Sequence, residues 1–214
     1  MAIANQLILA SKSLVREHVL RSTGLVFSIT PSNFDEKTIE DHNPKELAFT
    51  RALHKAKTVA DKKPGALVIG CDQTLSLDSQ IFHKPKNKTD ALEQLHTLNG
   101  KTHYLHSAVV LSFNADDETF ILKKLSFVKT IAMHMRQLSA EELYTYIETN
   151  EWQGCVGGYR IEGIGVQLFE KDTIADFTAI IGLPVLELLT SLRRLGIHGI
   201  TKNNPPWDIS IDHL

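Results

Sequence analysis

Short apolar runs and capped helical stretches alternate along this chain, and no other feature narrows its fold so much. Leu7-Ile8-Leu9-Ala10, Ala66-Leu67-Val68-Ile69-Gly70, and a longer pair around His106–Phe113 and Phe120–Met133 have the length and apolarity of buried strands. Between them lie helical segments with start and stop signals. Asn43 precedes Pro44 and Glu46, giving an N-cap, a proline at the first helical position and an acid in the first turn. Ser139-Ala-Glu-Glu142 is a capping box that opens a helix running towards Thr149. After Lys84-Pro85, Leu92, Leu95 and Leu98 share one helical face, and Asn99-Gly100 ends it. A last helix follows Gly182-Leu-Pro184 and stops near Gly196. Strands alternating with helices imply an α/β sheet with helices on its faces. The long pair, joined by the polar turn Asn114-Ala-Asp-Asp-Glu118, predicts an antiparallel hairpin and so a mixed, twisted sheet.

Several polar residues sit where such a sheet would bind a ligand. The first strand ends in Ala10-Ser11-Lys12-Ser13 and a helical pattern begins at once. Free backbone N–H groups and the positive end of a helix dipole make that turn a natural anion site, and Arg16, one turn on, is placed to reach back to a phosphate. Ser13 can also serve as a plain helix cap and Arg16 as a solvated cation. Lys55 falls on the inward stripe formed by Ala48, Ala52, Ala56 and Val59, so it either snorkels out or meets a buried anion. Asp72 is read at the carboxyl end of the Ala66–Gly70 strand, where open α/β sheets bind ligands. There it would coordinate a hard divalent cation or orient water as a general base; the alternative is a turn aspartate bonded to its own backbone. Glu36 offers a second carboxylate, and Lys84-Pro85 an amine on a restrained loop after the hairpin-like segment Leu75–Phe82.

Composition removes several classes of function. Lys plus Arg number 23 against 25 Asp plus Glu, for a formal net charge of -2. A non-specific nucleic-acid binder needs a marked basic excess, so no nucleic-acid partner is expected and phosphate recognition must be local. No stretch approaches a membrane span, and the N-terminus lacks the basic region of a signal peptide, which predicts a cytoplasmic protein with no membrane partner. The two cysteines, Cys71 and Cys155, read as reduced thiols. Among the ten histidines, His103 and His106 would point to opposite faces of a strand, and no zinc or P-loop signature occurs. The 214 residues make one domain or two closely joined lobes, read here as 1–200, with 201–214 as a loosely attached extension.

Taken in order, Leu9-Ala10-Ser11-Lys12-Ser13 with Arg16, Phe34-Asp35-Glu36, Lys55-Ala56, Asp72-Gln73, Lys84-Pro85 and Gly182-Leu-Pro184 resemble the Maf nucleotide pyrophosphatases. The resemblance runs from Leu7 to about Gly196. It implies a mixed-sheet fold akin to the inosine triphosphate pyrophosphatases, a cleft between two lobes, Mg2+ or Mn2+ dependence, and cleavage of nucleoside triphosphates between the α and β phosphates. It also suggests a homodimer. On this resemblance Asp72 takes the catalytic acidic position and is a metal ligand, with Glu36 beside the metal; Ser11, Ser13, Arg16, Lys55 and Lys84 bind phosphate; Gln73 and Glu162 face the base.

The segment Gly154-Cys-Val-Gly-Gly-Tyr-Arg-Ile-Glu-Gly163 bears on substrate. The branch cleaving dTTP and UTP usually has Lys-Ala-Gly and then Ile-Gln-Gly here, whereas Cys155 and Glu162 resemble the branch acting on 7-methyl-GTP. A methylated guanine is cationic, so Glu162 with the faces of Trp152 or Tyr159 would favour it; a glycine-rich turn carrying an exposed acid is the alternative. Leu14-Val15 before Arg16, His83 before Lys84, and Asp176-Phe-Thr-Ala179 depart from the family pattern and bear on base preference. A dTTP- or UTP-preferring enzyme, removal of the γ phosphate alone, and a catalytically weak nucleotide-binding regulator of cell division are the rival readings.

Overall fold

The computed structural model describes residues 2–115, 118–171, 176–200 and 205–209. Two long antiparallel strands form its spine, β4 (Ala66–Leu77) and β6 (Thr102–Ala115), paired from Leu67↔Phe113 to Ser76↔Tyr104. On the outer side of β4, β2 (Gln6–Leu9) runs parallel to it, and β3 (Ser28–Ile29) runs parallel to β2. The short β5 (Gln80–Phe82) folds back on the far end of β4. Two strands, β7 (Glu118–Ile121) and β8 (Phe127–His134), run antiparallel along β6, completing a seven-stranded mixed sheet.

Two strand expectations are corrected. β4 does not stop at Gly70. Asp72, Gln73, Thr74 and Ser76 interrupt the apolar run, yet the strand continues because β6 pairs with all of it and the polar groups find partners. Thr74 Oγ1 donates to the Pro44 carbonyl at 2.7 Å, and Ser76 Oγ lies 2.9 Å from His106 Nε2. Asp72 therefore sits within a strand, level with the place where β2 leaves. The second strand of the long pair is also split. Its register slips between Ser112↔Ile121 and Val109↔Phe127, and the surplus folds into a 3-10 turn at Lys123–Leu125. Leu111 keeps its backbone bonds there, with its N–H to Ser126 Oγ and its carbonyl accepting from Leu122 N–H. The tip of the preceding turn, residues 116–117, lies outside the described residues.

The helices start where their caps dictate. Ser13 caps α1 (Leu14–Arg21), Asn43 caps α2 (Pro44–Ala60) and Asn87 caps α3 (Lys88–Leu98). Ser139 and Glu142 form the expected capping box of α4 (Ala140–Glu148). A single turn, α5 (Phe177–Ile180), leads through Gly182 to α6 (Val185–Arg194). Among the described residues no helix is long and apolar enough to cross a membrane.

Side-chain alternation along the spine divides the core. Leu67, Ile69 and Cys71 join Leu7, Leu9, Leu20 of α1 and Leu188 and Leu192 of α6 on one face. Val68, with Ile8 and Val110, meets Ala48, Ala52, Ala56 and Val59 of α2 on the other. Further along, Leu75, Leu77, Leu105 and Met133 enclose a separate core with Leu95 and Leu98 of α3 and Leu143 of α4. Each such aliphatic side chain stabilises the fold by roughly 1.5–3 kcal/mol on burial. Between the cores the spine carries Asp72, Gln73, Thr74, His106 and Ser107 in place of apolar residues, and the cleft opens there.

The extension is attached rather than loose where it is described. β1 (Ala2–Ala4) pairs antiparallel with β9 (Trp207–Ile209), and Trp207 is buried in the α1/α6 core. Burying an indole takes a large apolar surface out of water, which fastens this segment to the domain. Residues 201–204 and 210–214 lie outside the described residues.

Candidate functional site

The site begins where β2 leaves the sheet. Its last ladder pair is Leu9↔Ile69, closed by Ala10 N–H to the Ile69 carbonyl at 2.8 Å. The chain then turns through Ser11–Ser13 into α1, so the next carbonyl of β4 on that side, that of Cys71, loses a strand partner. Two cations take it up: Arg16 Nη1 donates at 3.1 Å and Lys55 Nζ at 3.4 Å. The Arg16 Nε also donates to the Gly182 carbonyl at 2.8 Å, tying the α5–α6 connection to the strand. Ser13 Oγ accepts from Arg16 N–H, and Ser11 Oγ from Ser13 N–H.

Lys55 resolves the choice between snorkelling and a buried anion in favour of the anion. Even-numbered residues of β4 face α2, and Gly70 has no side chain to hold that helix off; a Cβ there would lie 2.2 Å from the Ala52 carbonyl oxygen. The close approach delivers Lys55 Nζ to 2.5 Å from Asp72 Oδ1 and 2.6 Å from Glu36 Oε1. Glu36 is placed by its own short-range chemistry. Asp35 caps the 3-10 turn Glu36–Thr38 by accepting from Lys37 N–H, and Arg51 Nη2 holds the Ile39 carbonyl at 3.1 Å.

The two carboxylates differ electrostatically. Burial raises the Asp72 pKa above the usual aspartate range, opposed by the Lys55 ammonium. Burial also works to raise that of Glu36, but Lys55, then Lys84 and Arg16, outweigh it and the carboxyl is held below its ordinary range. A buried carboxylate kept charged by one lysine, yet more basic than an exposed aspartate, suits proton abstraction from water. The donor set also fits a hard divalent cation: both groups offer oxygen, and Asp72 Oδ2 is buried with no hydrogen-bond partner among the described residues. Among the described residues no cluster of three or more His, Cys, Asp or Glu could hold a metal, so a cation would take its remaining oxygens from substrate and water.

All nine of the residues singled out from the sequence line one cleft of ≈ 1370 Å³: Ser11, Ser13, Arg16, Glu36, Lys55, Asp72, Gln73, Lys84 and Glu162. Their surroundings differ. Lys84 is exposed at the rim. Arg16 is no solvated cation, and Gln73 faces away from Asp72, as alternation along a strand requires. Gln73 Nε2 donates to Ser107 Oγ at 2.9 Å and to the carbonyls of Ala179 and Ile180 at 3.1 and 2.9 Å, so its amide nitrogen serves the α5 turn.

The proposed aromatic partners of Glu162 need correction. Trp152 is packed in the α3/α4 core away from the cleft, and Tyr159, though it borders the cleft, is largely buried with its hydroxyl 2.9 Å from His103 Nε2. Glu162 instead lies 3.6 Å from Arg160 Nε. His103 and His106 are held by hydrogen bonds within the fold. Burial pulls the pKa of His103 down to about 3 and that of His106 to about 4, and the two side chains diverge from β6 to Tyr159 and to Ser76 with Thr130. Arg51 and Arg160 are cleft residues that sequence reading passed over. Arg51 precedes Lys55 by one helical turn, a spacing that could have marked it. Nothing local marks the stacking of Phe34 on His54, with ring centroids 5.1 Å apart.

Comparison with known proteins places this geometry among relatives. A family model described as Maf-like protein matches residues 6–195. A 7-methyl-GTP pyrophosphatase of Bartonella quintana is 46% identical over 91% of this chain and 98% of its own. A protein of the same name from Brucella abortus biovar 1 is 43% identical over 88% and 96%. A nucleoside triphosphate pyrophosphatase of Nitrobacter hamburgensis is 37% identical over 89% and 94%. Of the solved structures, the Staphylococcus aureus Ham1 protein aligns over 61% of this chain and 72% of its own, at 16% identity and a TM-score of 0.41, and a likeness that low carries no argument.

Proposed function

The chain belongs to the Maf-like protein family, and on that premise we propose that it hydrolyses nucleoside triphosphates between the α and β phosphates, with 7-methyl-GTP as preferred substrate. The observation that carries the reading is the Asp72–Lys55–Glu36 cluster, its Asp72 and Lys55 buried, beside a hydroxyl-lined turn in a cleft rimmed by cations. Relatives named for both activities support it, at 46% and 37% identity.

The roles follow from charge. A triphosphate brings several negative charges, and attack by water builds more on the bridging oxygens. Lys55, Lys84 and Arg16 all line the cleft, where cations within reach of the phosphates stabilise that charge. The free N–H groups at the start of α1 add the positive end of a helix dipole. Asp72 orients the attacking water and accepts its proton, its raised pKa making it a stronger base. Asp72 and Glu36 are the groups that would hold Mg2+ or Mn2+, which when bound supplies further neutralisation of phosphoryl charge. Glu162 favours a cationic base, but Arg160 at 3.6 Å offsets part of its charge. The preference expected from it is on the order of 1 kcal/mol. A cytoplasmic location and a homodimer belong to the same reading, checked by fractionation and light scattering.

The test is product analysis with purified protein, Mg2+ or Mn2+, and a panel of 7-methyl-GTP, GTP, dTTP and UTP. Monophosphate and pyrophosphate from 7-methyl-GTP ahead of the others bear the proposal out. Orthophosphate as the first product means γ cleavage, and binding without cleavage means a regulator; either outcome sinks it.

A further inference from the structure

Lys55 stands among the same oxygens that a divalent cation would take, and we infer that it is the resident counter-ion of the metal site, displaced only when the cation arrives with a polyphosphate. This rests on the pyrophosphatase reading above. Its Nζ has Asp72 Oδ1 at 2.5 Å, Glu36 Oε1 at 2.6 Å and the Cys71 carbonyl at 3.4 Å. The Lys55 side chain is 9% exposed and that of Asp72 6%, while that of Glu36 is 40% exposed, so water reaches the pair of carboxylates only from the Glu36 side. Like charges so placed repel strongly, and the folded chain needs a cation between them. Lys55 provides it from within.

Oxygens that satisfy an ammonium are the hard donors that Mg2+ or Mn2+ selects, so the two occupants compete for Asp72 and Glu36. A bare cation must expel a buried positive charge that has nowhere equally favourable to go. The lysine stem is flexible, and the adjoining cleft gives it room. A triphosphate in that cleft offers phosphoryl oxygens to receive Nζ, and its charge is shared with Arg16 and Lys84 rather than met by them alone. Metal and nucleotide therefore bind cooperatively, and the free protein is held in a metal-poor state by its own side chain.

The experiment measures Mn2+ binding by the electron paramagnetic resonance of free Mn2+, with no nucleotide, on wild type and on Lys55→Met. Lys55→Gln serves as a second variant should the first fail to fold, with circular dichroism melts reporting folding. Removing the resident charge leaves the buried Asp72 and the half-buried Glu36 carboxylates uncompensated, so Mn2+ binds the variant at least about tenfold tighter than wild type. In parallel, wild type is titrated with Mn2+ in the presence of a non-hydrolysable triphosphate analogue. Equal or weaker Mn2+ binding by the folded variant, while wild type forms the ternary complex, overturns this inference and leaves the metal-dependent reading standing. No Mn2+ bound by wild type with the analogue, nor by the variant, overturns both.

Discussion

At one end of the cleft Asp72, Lys55 and Glu36 are held by elements packed against the spine; at the other, Glu162 rises from a glycine-rich turn beside Arg160. The first end is fixed several times over. Gly70 admits α2, Thr74 pins the start of that helix, and Arg16 and Gln73 fasten the α5–α6 connection. The second depends on backbone that only glycine adopts easily: Gly157 has φ +78, and a Cβ there would lie 2.6 Å from Leu75 Cδ1. Chemistry that needs charges fixed in advance suits the first end; on the proposed reading, discrimination between bases falls to the Glu162 side chain that the turn carries, not to its constrained glycines.

The largest expected effect breaks the rigid end. Asp72→Asn removes the proposed base and one carboxylate, and turnover falls by about a hundredfold or more on every triphosphate. Gly70→Ala comes next, since its Cβ has 2.2 Å to the Ala52 carbonyl oxygen and 2.7 Å to Ala56 Cβ. Forcing α2 off the sheet costs roughly 1–3 kcal/mol in a thermal or denaturant melt and lowers turnover by pulling Lys55 from Asp72. Gln73→Leu strips the amide from the Ala179 and Ile180 carbonyls, for about 1–3 kcal/mol of stability. A Gln73→Leu variant as stable as wild type would show that the α5 turn does not rely on it.

A pH series probes the two sides of the spine, His103 against the α3/α4 core and His106 on the α2 side. His103 and His106 are depressed from 6.5 to about 3 and about 4, so the unfolded chain takes up their protons first. The stability from keeping them neutral is complete above pH 6.5 and is lost as pH falls towards those lower values. Melting temperature should decline across that window, and His103→Phe should flatten the decline.

Much of this was legible in the residues. The caps at Asn43 and Ser139 name their helices through contacts within one turn, and Lys55 betrayed itself by sitting on an apolar stripe. The order of motifs placed the site residues in one cleft. What stayed hidden depends on partners distant in the chain. Gln73 and Arg16 are occupied by carbonyls at positions 179, 180 and 182, and β4 runs past Gly70 only because β6 is there to pair with it. Trp152 and Tyr159 looked available because an aromatic beside glycines carries no local sign of burial.

The most direct test of the division of labour sets Asp72→Asn beside Glu162→Gln and measures kcat/KM for 7-methyl-GTP and for GTP with each. Asp72→Asn should lose activity on both substrates in similar proportion. Glu162→Gln should keep its stability within about 0.5 kcal/mol and lower only the ratio between them, by several-fold. An unchanged ratio in Glu162→Gln, or near-normal rates in Asp72→Asn, would contradict the account.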